Sequence, residues 1–495
     1  MRLVCEEFGI KKLSCDLLCV LIHTDRNQSD YVTHIDQLLN GQIASLKQGG
    51  HFLGNALEQC LVIPHPPKGI KRMLLIGLGA SKEISLELLR KAGGVAGSAS
   101  TRKDCENVVL AVPSFSNTKV KSEDAGQAIA EGFNLGGYFN DSLKSGQPSR
   151  TRPGRVTILS SKAETAIIKF GAARGLMISN LQNHCRDLSG CPSNILTPSF
   201  LANEARRIAR KHGLRVKIYR RPEIEKMKIG AFLAVAKGSK EQPYLIQIDY
   251  IPRTKATKRV VLVGKGITFD TGGISIKPAD NMGEMRQDMT GAAVVLTTMA
   301  ALAQLKPKTQ ITAFIPTCEN MISSTAYKPG DVVTTSIGKT IEIVNTDAEG
   351  RLLLADVLGY ASKLRPDYLF DVATLTGAVT VALGHGCAGF LSTSEELTEV
   401  FVKASARTGE KVWQLPLLEE YSHQFKSGVA DMTNSGGKPA GTITAGLILK
   451  QFTADIPWLH MDIAGVDFEY RGSEYVPRGP SGFGVRVLTE ALCKL

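Results

Sequence analysis

From Tyr244 to the end of the chain, apolar runs of strand length alternate with stretches of helical periodicity, and this alternation narrows the fold more than any other feature. Positions 260–264, 311–316, 368–372, 389–392 and 458–463 are strand-like, whereas 289–305, 352–363, 377–383, 396–408, 442–452 and 484–492 carry helical spacing. The pattern implies a mainly parallel sheet covered by helices on both faces. In such a sheet the turns at the carboxyl ends of the strands gather along one edge, where sites form.

The first third of the chain repeats the theme on a smaller scale. Apolar runs at 16–22, 73–78, 108–112 and 155–159 have helical patterns such as 85–91 and 125–133 between them. Positions 162–183 then read as a bridging helix. The expected organisation is an α/β protein with a smaller N-terminal α/β domain (1–161), a linking helix and connection (162–190) and a larger C-terminal domain (191–495). Gly77-Leu78-Gly79 follows a strand, but position 82 is lysine, so a tight strand-end turn explains it better than a dinucleotide fingerprint. Residues 141–155, with Arg150, Arg152 and Arg155, read as a solvated loop.

Two acidic clusters stand at predicted turns. At 345–352 the sequence Asn-Thr-Asp-Ala-Glu-Gly-Arg-Leu joins a strand-like stretch to a helical one. In extended geometry Asp347 and Glu349, two residues apart, face the same side and aim at one point; the alternative is a plain helix start in which Asp347 caps and Glu349 complements the dipole. The second cluster follows the strand at 260–264. Gly264 and Gly266 let the backbone bend so that Lys265 points into the same cleft as Asp270, and Lys277 and Asp288 follow. The glycines match no phosphate-loop pattern. Four carboxylates brought together repel one another unless cations neutralise them, and two divalent ions sharing carboxylates are the simplest answer. A lysine ligand must be neutral, so burial and the dications are expected to lower the pKa of Lys265.

With these residues in view, 345–352 and 265–273 resemble the two signature stretches of the leucyl aminopeptidase (cytosol aminopeptidase) family, two-metal enzymes. The resemblance runs from about Arg186 to the end and includes Asp371-Val372-Ala373-Thr374-Leu375-Thr376-Gly377 and His460-Met461-Asp462-Ile463-Ala464-Gly465. It implies that the larger domain is the catalytic one. It further implies that Asp270 and Glu349 bridge two ions (zinc or manganese), that Lys265 and Asp288 complete one site and Asp347 the other, and that Lys277 and Arg351 are the catalytic pair. The implied nucleophile is a metal-bridging water. Neither motif holds an uncommitted His or Glu as general base, and in the resembling family a bicarbonate on the arginine takes that part, here Arg351. By position in the motifs, Met285, Thr374, Gly377 and Ala464 would line a mostly apolar pocket for leucine-like N-terminal residues. Asp467 either points to solvent or stands at the pocket rim, where it would attract basic substrates. The resemblance also implies a homohexamer.

The composition, 43% hydrophobic and 21% charged over 495 residues, is that of a globular enzyme. Ten scattered cysteines without a Cys-x-x-Cys fit reduced thiols and a cytoplasmic location. His-Glu-x-x-His is absent, so any metal is held mainly by carboxylates. The acidic residues after Met1 are unlike a signal peptide, and neither long uncharged run, 289–305 or 372–394, reads as a membrane span. A net charge of +12 keeps an alternative open: a DNA-binding regulatory protein retaining the aminopeptidase fold. Its densest basic run, Arg206 to Arg221, also fits a simple solvated face. A two-metal phosphohydrolase is a third reading, one that needs no neutral lysine. His460 reads as a core or capping histidine.

Overall fold

The computed structural model describes residues 1–8, 13–25, 30–65, 69–116, 118–146 and 149–495. Gln147 and Pro148 of the expected loop lie outside the described residues. The chain forms two compact units, one of Met1–Asn183 with Tyr470–Arg478, the other of His184–Glu469 with Gly479–Leu495. The boundary falls within the helix Thr165–Ser189, and the return of 470–478 to the first unit is a connection that contiguous segments do not express.

In the first unit six strands lie in the order Arg2–Glu7, Arg155–Ser160, Asn107–Ala111, Leu17–Ile22, Met73–Gly77, Gln59–Val62. All neighbours are parallel except the last pair. Leu17–Ile22 is buried at every position because it lies inside the sheet with a strand on either side. The two edge strands, Arg2–Glu7 and Gln59–Val62, were not expected from sequence; both are partly exposed and mix polar with apolar residues, which weakens the apolar-run signal.

The second unit is built on a nine-stranded sheet in the order Val412–Gln414, Ala388–Ser392, Trp458–Asp462, Tyr368–Ala373, Arg259–Gly264, Gln310–Asn320, Tyr244–Tyr250, Arg215–Arg220, with Gly266–Asp270 also paired to Gln310–Asn320. Its centre, from Trp458–Asp462 to Gln310–Asn320, is parallel, and antiparallel neighbours flank it. The alternation of side chains assigns the two faces. Val261 and Val263 pack with Leu352, Leu353 and Leu354 of the helix Gly350–Ser362. Gly264, at the alternate positions, lies against Gly291 of the helix Thr290–Leu305. Both helices are almost wholly buried, which explains why their sequences are mainly apolar, with Arg351 and Asp356 the charged exceptions. Met282–Leu305 is long and apolar enough to cross a membrane, yet most of it is buried inside the fold. None of the ten cysteines, all of them among the described residues, is joined in a disulfide. Thr197 caps the helix Pro198–His212 and Gly213 ends it in the left-handed region, as its sequence predicts; Arg206, Arg210 and Lys211 lie on its exposed side.

Candidate active site

Lys265 directly follows the strand Arg259–Gly264, Asp270 ends Gly266–Asp270, and Thr374 follows Tyr368–Ala373, so the site residues gather at the carboxyl edge of the parallel strands. Asp288 arrives from the other direction, in the turn before the helix Thr290–Leu305. That helix start is pinned to the Lys265 strand: Ala292 N donates to Lys265 O (2.8 Å), and a Cβ on Gly291 would stand 2.3 Å from Val372 O. Gly350, at the head of the next helix, has no side chain for a similar reason, since a Cβ there would meet Lys265 Cε at 2.6 Å.

The resulting cluster is dense. Lys265 Nζ, 3% exposed, donates to Asp288 Oδ1 (2.6 Å) and Thr374 O (2.9 Å) and lies 2.9 Å from Glu349 Oε1. Lys277 Nζ lies 2.9 Å from Asp270 Oδ2 and 2.5 Å from Asp347 Oδ1. Asp270 Oδ1 accepts from Gly272 N and Asn320 Nδ2, both at 2.8 Å. One oxygen each of Asp270, Asp347 and Glu349 fit within 4.8 Å of one another, and Asp288 Oδ2 is buried without a hydrogen-bond partner among the described residues.

Asp347 and Glu349 do converge, but not through extended backbone. Asp347 lies in a turn, and Glu349 is already helical (φ −73°, ψ −37°) with no side-chain capping bond. Asp347 therefore does not cap the helix, whereas Glu349 does stand at its start, where a carboxylate complements the dipole. The turn is laced to the 270–277 loop by Thr346, whose Oγ1 donates to Gly272 O (2.6 Å) and accepts from Ser275 N (2.8 Å). Asn320, Tyr327 and Asn434 reinforce it through Thr346 O and Asn345 O. Sequence reasoning missed these supports. It ended the 311–316 strand at Pro316, whereas the strand runs on to Asn320.

The electrostatics show an excess of negative charge in a site that is buried except at Asp347 and Lys277. Burial and Glu349 raise Asp270 to about 6, and burial raises Asp288 and Asp347. Glu349 is lowered, because Lys265 and Lys277 outweigh its burial. For Lys265 the expected depression needs the dications as well as burial, because the protein groups alone act the other way. Burial lowers its pKa, but Asp288, Glu349 and Asp270 overcome that and hold the ammonium well above its usual range. Lys277 is raised likewise. Burial lowers Arg351, whose Nε is enclosed without a partner among the described residues.

Of the remaining expected residues, Thr374 belongs to the cluster, its Oγ1 donating to Asp288 Oδ1 (2.8 Å). Met285 O accepts from Asp288 N (3.3 Å), and Ala464 N donates to Asp462 Oδ1 (3.2 Å). Gly377 opens the helix Gly377–Leu383, with free space where a Cβ would stand. Asp467 is partly buried rather than free in solvent. Burial, Asp462 and Glu284 push its carboxyl up to about 8.

The donor set of carboxylates and one lysine, with the open oxygen of Asp288, suits hard divalent cations. Comparison with known proteins agrees with that chemistry. The cytosol aminopeptidase family profile for the catalytic domain matches residues 183–489, and the profile for the N-terminal domain matches 19–147. A "Probable cytosol aminopeptidase" of Geotalea uraniireducens (strain Rf4) is 39% identical over 97% of this chain and 96% of its own. One of Solibacter usitatus (strain Ellin6076) is 38% identical over 99% and 98%. Among solved structures, a mutant of tomato leucine aminopeptidase superposes with a TM-score of 0.88 at 32% identity, covering 100% of this chain and 96% of that one. The bottromycin maturation enzyme BotP in complex with Mn gives 0.86 at 31% identity, covering 97% and 99%.

Proposed function

Because the chain belongs to the cytosol aminopeptidase family, we propose that it is a metal-dependent aminopeptidase releasing N-terminal residues from peptides, leucine and other apolar residues first. It is a peptidase, and so a hydrolase. The observation that carries the finer reading is the meeting of Asp270, Asp347 and Glu349 within 4.8 Å beside Lys265 and Asp288. Those five residues would hold two divalent ions, zinc or manganese, with Asp270 and Glu349 shared between them. When bound, the ions supply Lewis acidity and lower the pKa of water. To serve as a nitrogen ligand, Lys265 must give up its proton.

The chain's own groups do the rest. Lys277 reaches the cluster from a partly exposed position, so its ammonium can donate to the oxyanion that forms at the scissile carbonyl. Arg351 carries a fixed charge at a helix start, where a small anion such as bicarbonate would bind. Met285, Thr374, Gly377 and Ala464 would seat the first side chain, with Asp467 at the rim. The family resemblance further supports a homohexamer working in the cytoplasm on peptides. Dialysis against a chelator followed by re-addition of Zn2+ or Mn2+ tests the reading. Hydrolysis of leucine amide should vanish and return, and hydrolysis that survives complete metal removal refutes it.

A further inference from the structure

The mechanism just given makes no use of His460, whose sequence context suggests only a core histidine. In the parallel pair Tyr368–Ala373 and Trp458–Asp462, Asp371 stands opposite His460. Ala373 and Trp458 pack in the apolar cluster that holds Leu352 to Leu354. Residues two apart share a face, so Asp371, His460 and Asp462 also face the helix that carries Arg351.

His460 and Asp371 are both completely buried. Asp371 Oδ1 lies 2.5 Å from His460 Nδ1, and Asp371 Oδ2 accepts from Trp458 Nε1 at 2.6 Å. A carboxylate that accepts at both oxygens requires the proton on Nδ1. The ring is therefore fixed in orientation, with Nε2 directed away from Asp371. That nitrogen is enclosed and has no hydrogen-bond partner among the described residues, and the same holds for Arg351 Nε. Arg351 acts electrostatically on His460, and Asp462 acts on both. Asp462 is already engaged, accepting from Leu375 N, Ala464 N and Thr376 Oγ1.

Two enclosed polar atoms without partners would cost about 1–3 kcal/mol each. A buried water needs two to four polar partners, and a water between these two atoms would have two. Such a water accepts from Arg351 Nε–H and forms its second bond with His460 Nε2 whether or not that nitrogen is protonated. We propose that His460, oriented by Asp371, is a positioning residue for Arg351, and that a water held between His460 Nε2 and Arg351 Nε fixes the guanidinium plane. The inference rests on the role given to Arg351 above.

Asparagine places its amide near Nδ1 of the replaced histidine, and glutamine places its amide near Nε2. His460→Asn should keep Asp371 hydrogen-bonded and the protein folded, with KM and metal content unchanged, yet lower kcat by about 10–100-fold. His460→Gln should recover most of the turnover while lowering Tm, because Asp371 Oδ1 loses its donor and only the Trp458 bond at Oδ2 remains. A merely structural histidine gives the reverse order, with the asparagine variant near wild type, and that order overturns the proposal. In an Arg351→Ala background, His460→Asn should add no further loss, and an undiminished loss there also overturns it. Wild-type turnover in Arg351→Ala alone would refute the role of Arg351, and the brace with it. A crystal structure of the unaltered protein decides even if the variants fail to fold: a water between the two nitrogens supports the proposal, and an empty or apolar gap contradicts it.

Discussion

At the scale of single residues, the chemistry was legible because the sequence concentrates it. Asp347, Glu349 and Arg351 fall within five positions, and Lys265, Asp270, Lys277 and Asp288 follow one strand. What could not be read was the support from distant segments, such as Asn320 on Asp270, since a lone asparagine at a strand end carries no local signal. The carboxylate pull on the Lys265 ammonium was hidden for a related reason: its three carboxylate neighbours come from three different segments. Lys277→Ala and Arg351→Ala should leave metal content intact and lower kcat about 10²-fold or more, because the proposed mechanism has both act on charge that develops during reaction. Added bicarbonate should stimulate the wild type and not Arg351→Ala; an equal response in both would remove the anion from that site. Asp467 offers a test in pH. With its carboxyl pushed up to about 8, it is neutral at pH 7 and negative above pH 8. The ratio of arginine amide to leucine amide hydrolysis should therefore rise as pH passes through about 8, and Asp467→Ala should abolish the rise. A flat wild-type ratio would place Asp467 away from the substrate.

At the scale of elements, the buried helices and central strands were legible because burial on all sides writes uniform apolar runs. The edge strands Arg2–Glu7 and Gln59–Val62 were not, because half-exposed strands lack that run. Close approach was equally hidden, although it decides where Asp288 stands. In Gly291→Ala the new methyl would meet Val372 O, so the helix Thr290–Leu305 must shift and carry Asp288 from Lys265. Loss of activity with weakened metal retention is expected, and unchanged metal affinity would show that the helix start tolerates the shift. Asp356 plays a structural part within the helix Gly350–Ser362. It accepts from Ala231 N (2.8 Å), Phe232 N (3.2 Å) and Ser336 N (2.6 Å), tying two neighbouring segments to the helix that Glu349 and Arg351 begin. Asp356→Ala leaves three buried donors unmatched and should cost about 3 kcal/mol or more, read as a lower urea midpoint. An unchanged midpoint would mean that water replaces the carboxylate.

At the scale of the whole molecule, alternating strands and helices fixed the two-part α/β plan, but contiguous segments could not foretell that 470–478 returns to the first unit. Assembly is a separate matter: sedimentation of the purified protein should give six times the 53.3 kDa of one chain, and a monomer would end the hexamer proposal. The central claim is that Asp270 and Glu349 are shared by two ions on which peptide hydrolysis depends. Metal content per chain, measured on wild type and Glu349→Ala together with leucine amide hydrolysis, tests it most directly. The account predicts two ions and activity in the wild type, with both lost in the variant. Two ions retained by an inactive Glu349→Ala protein, or hydrolysis by a metal-free wild type, would contradict it.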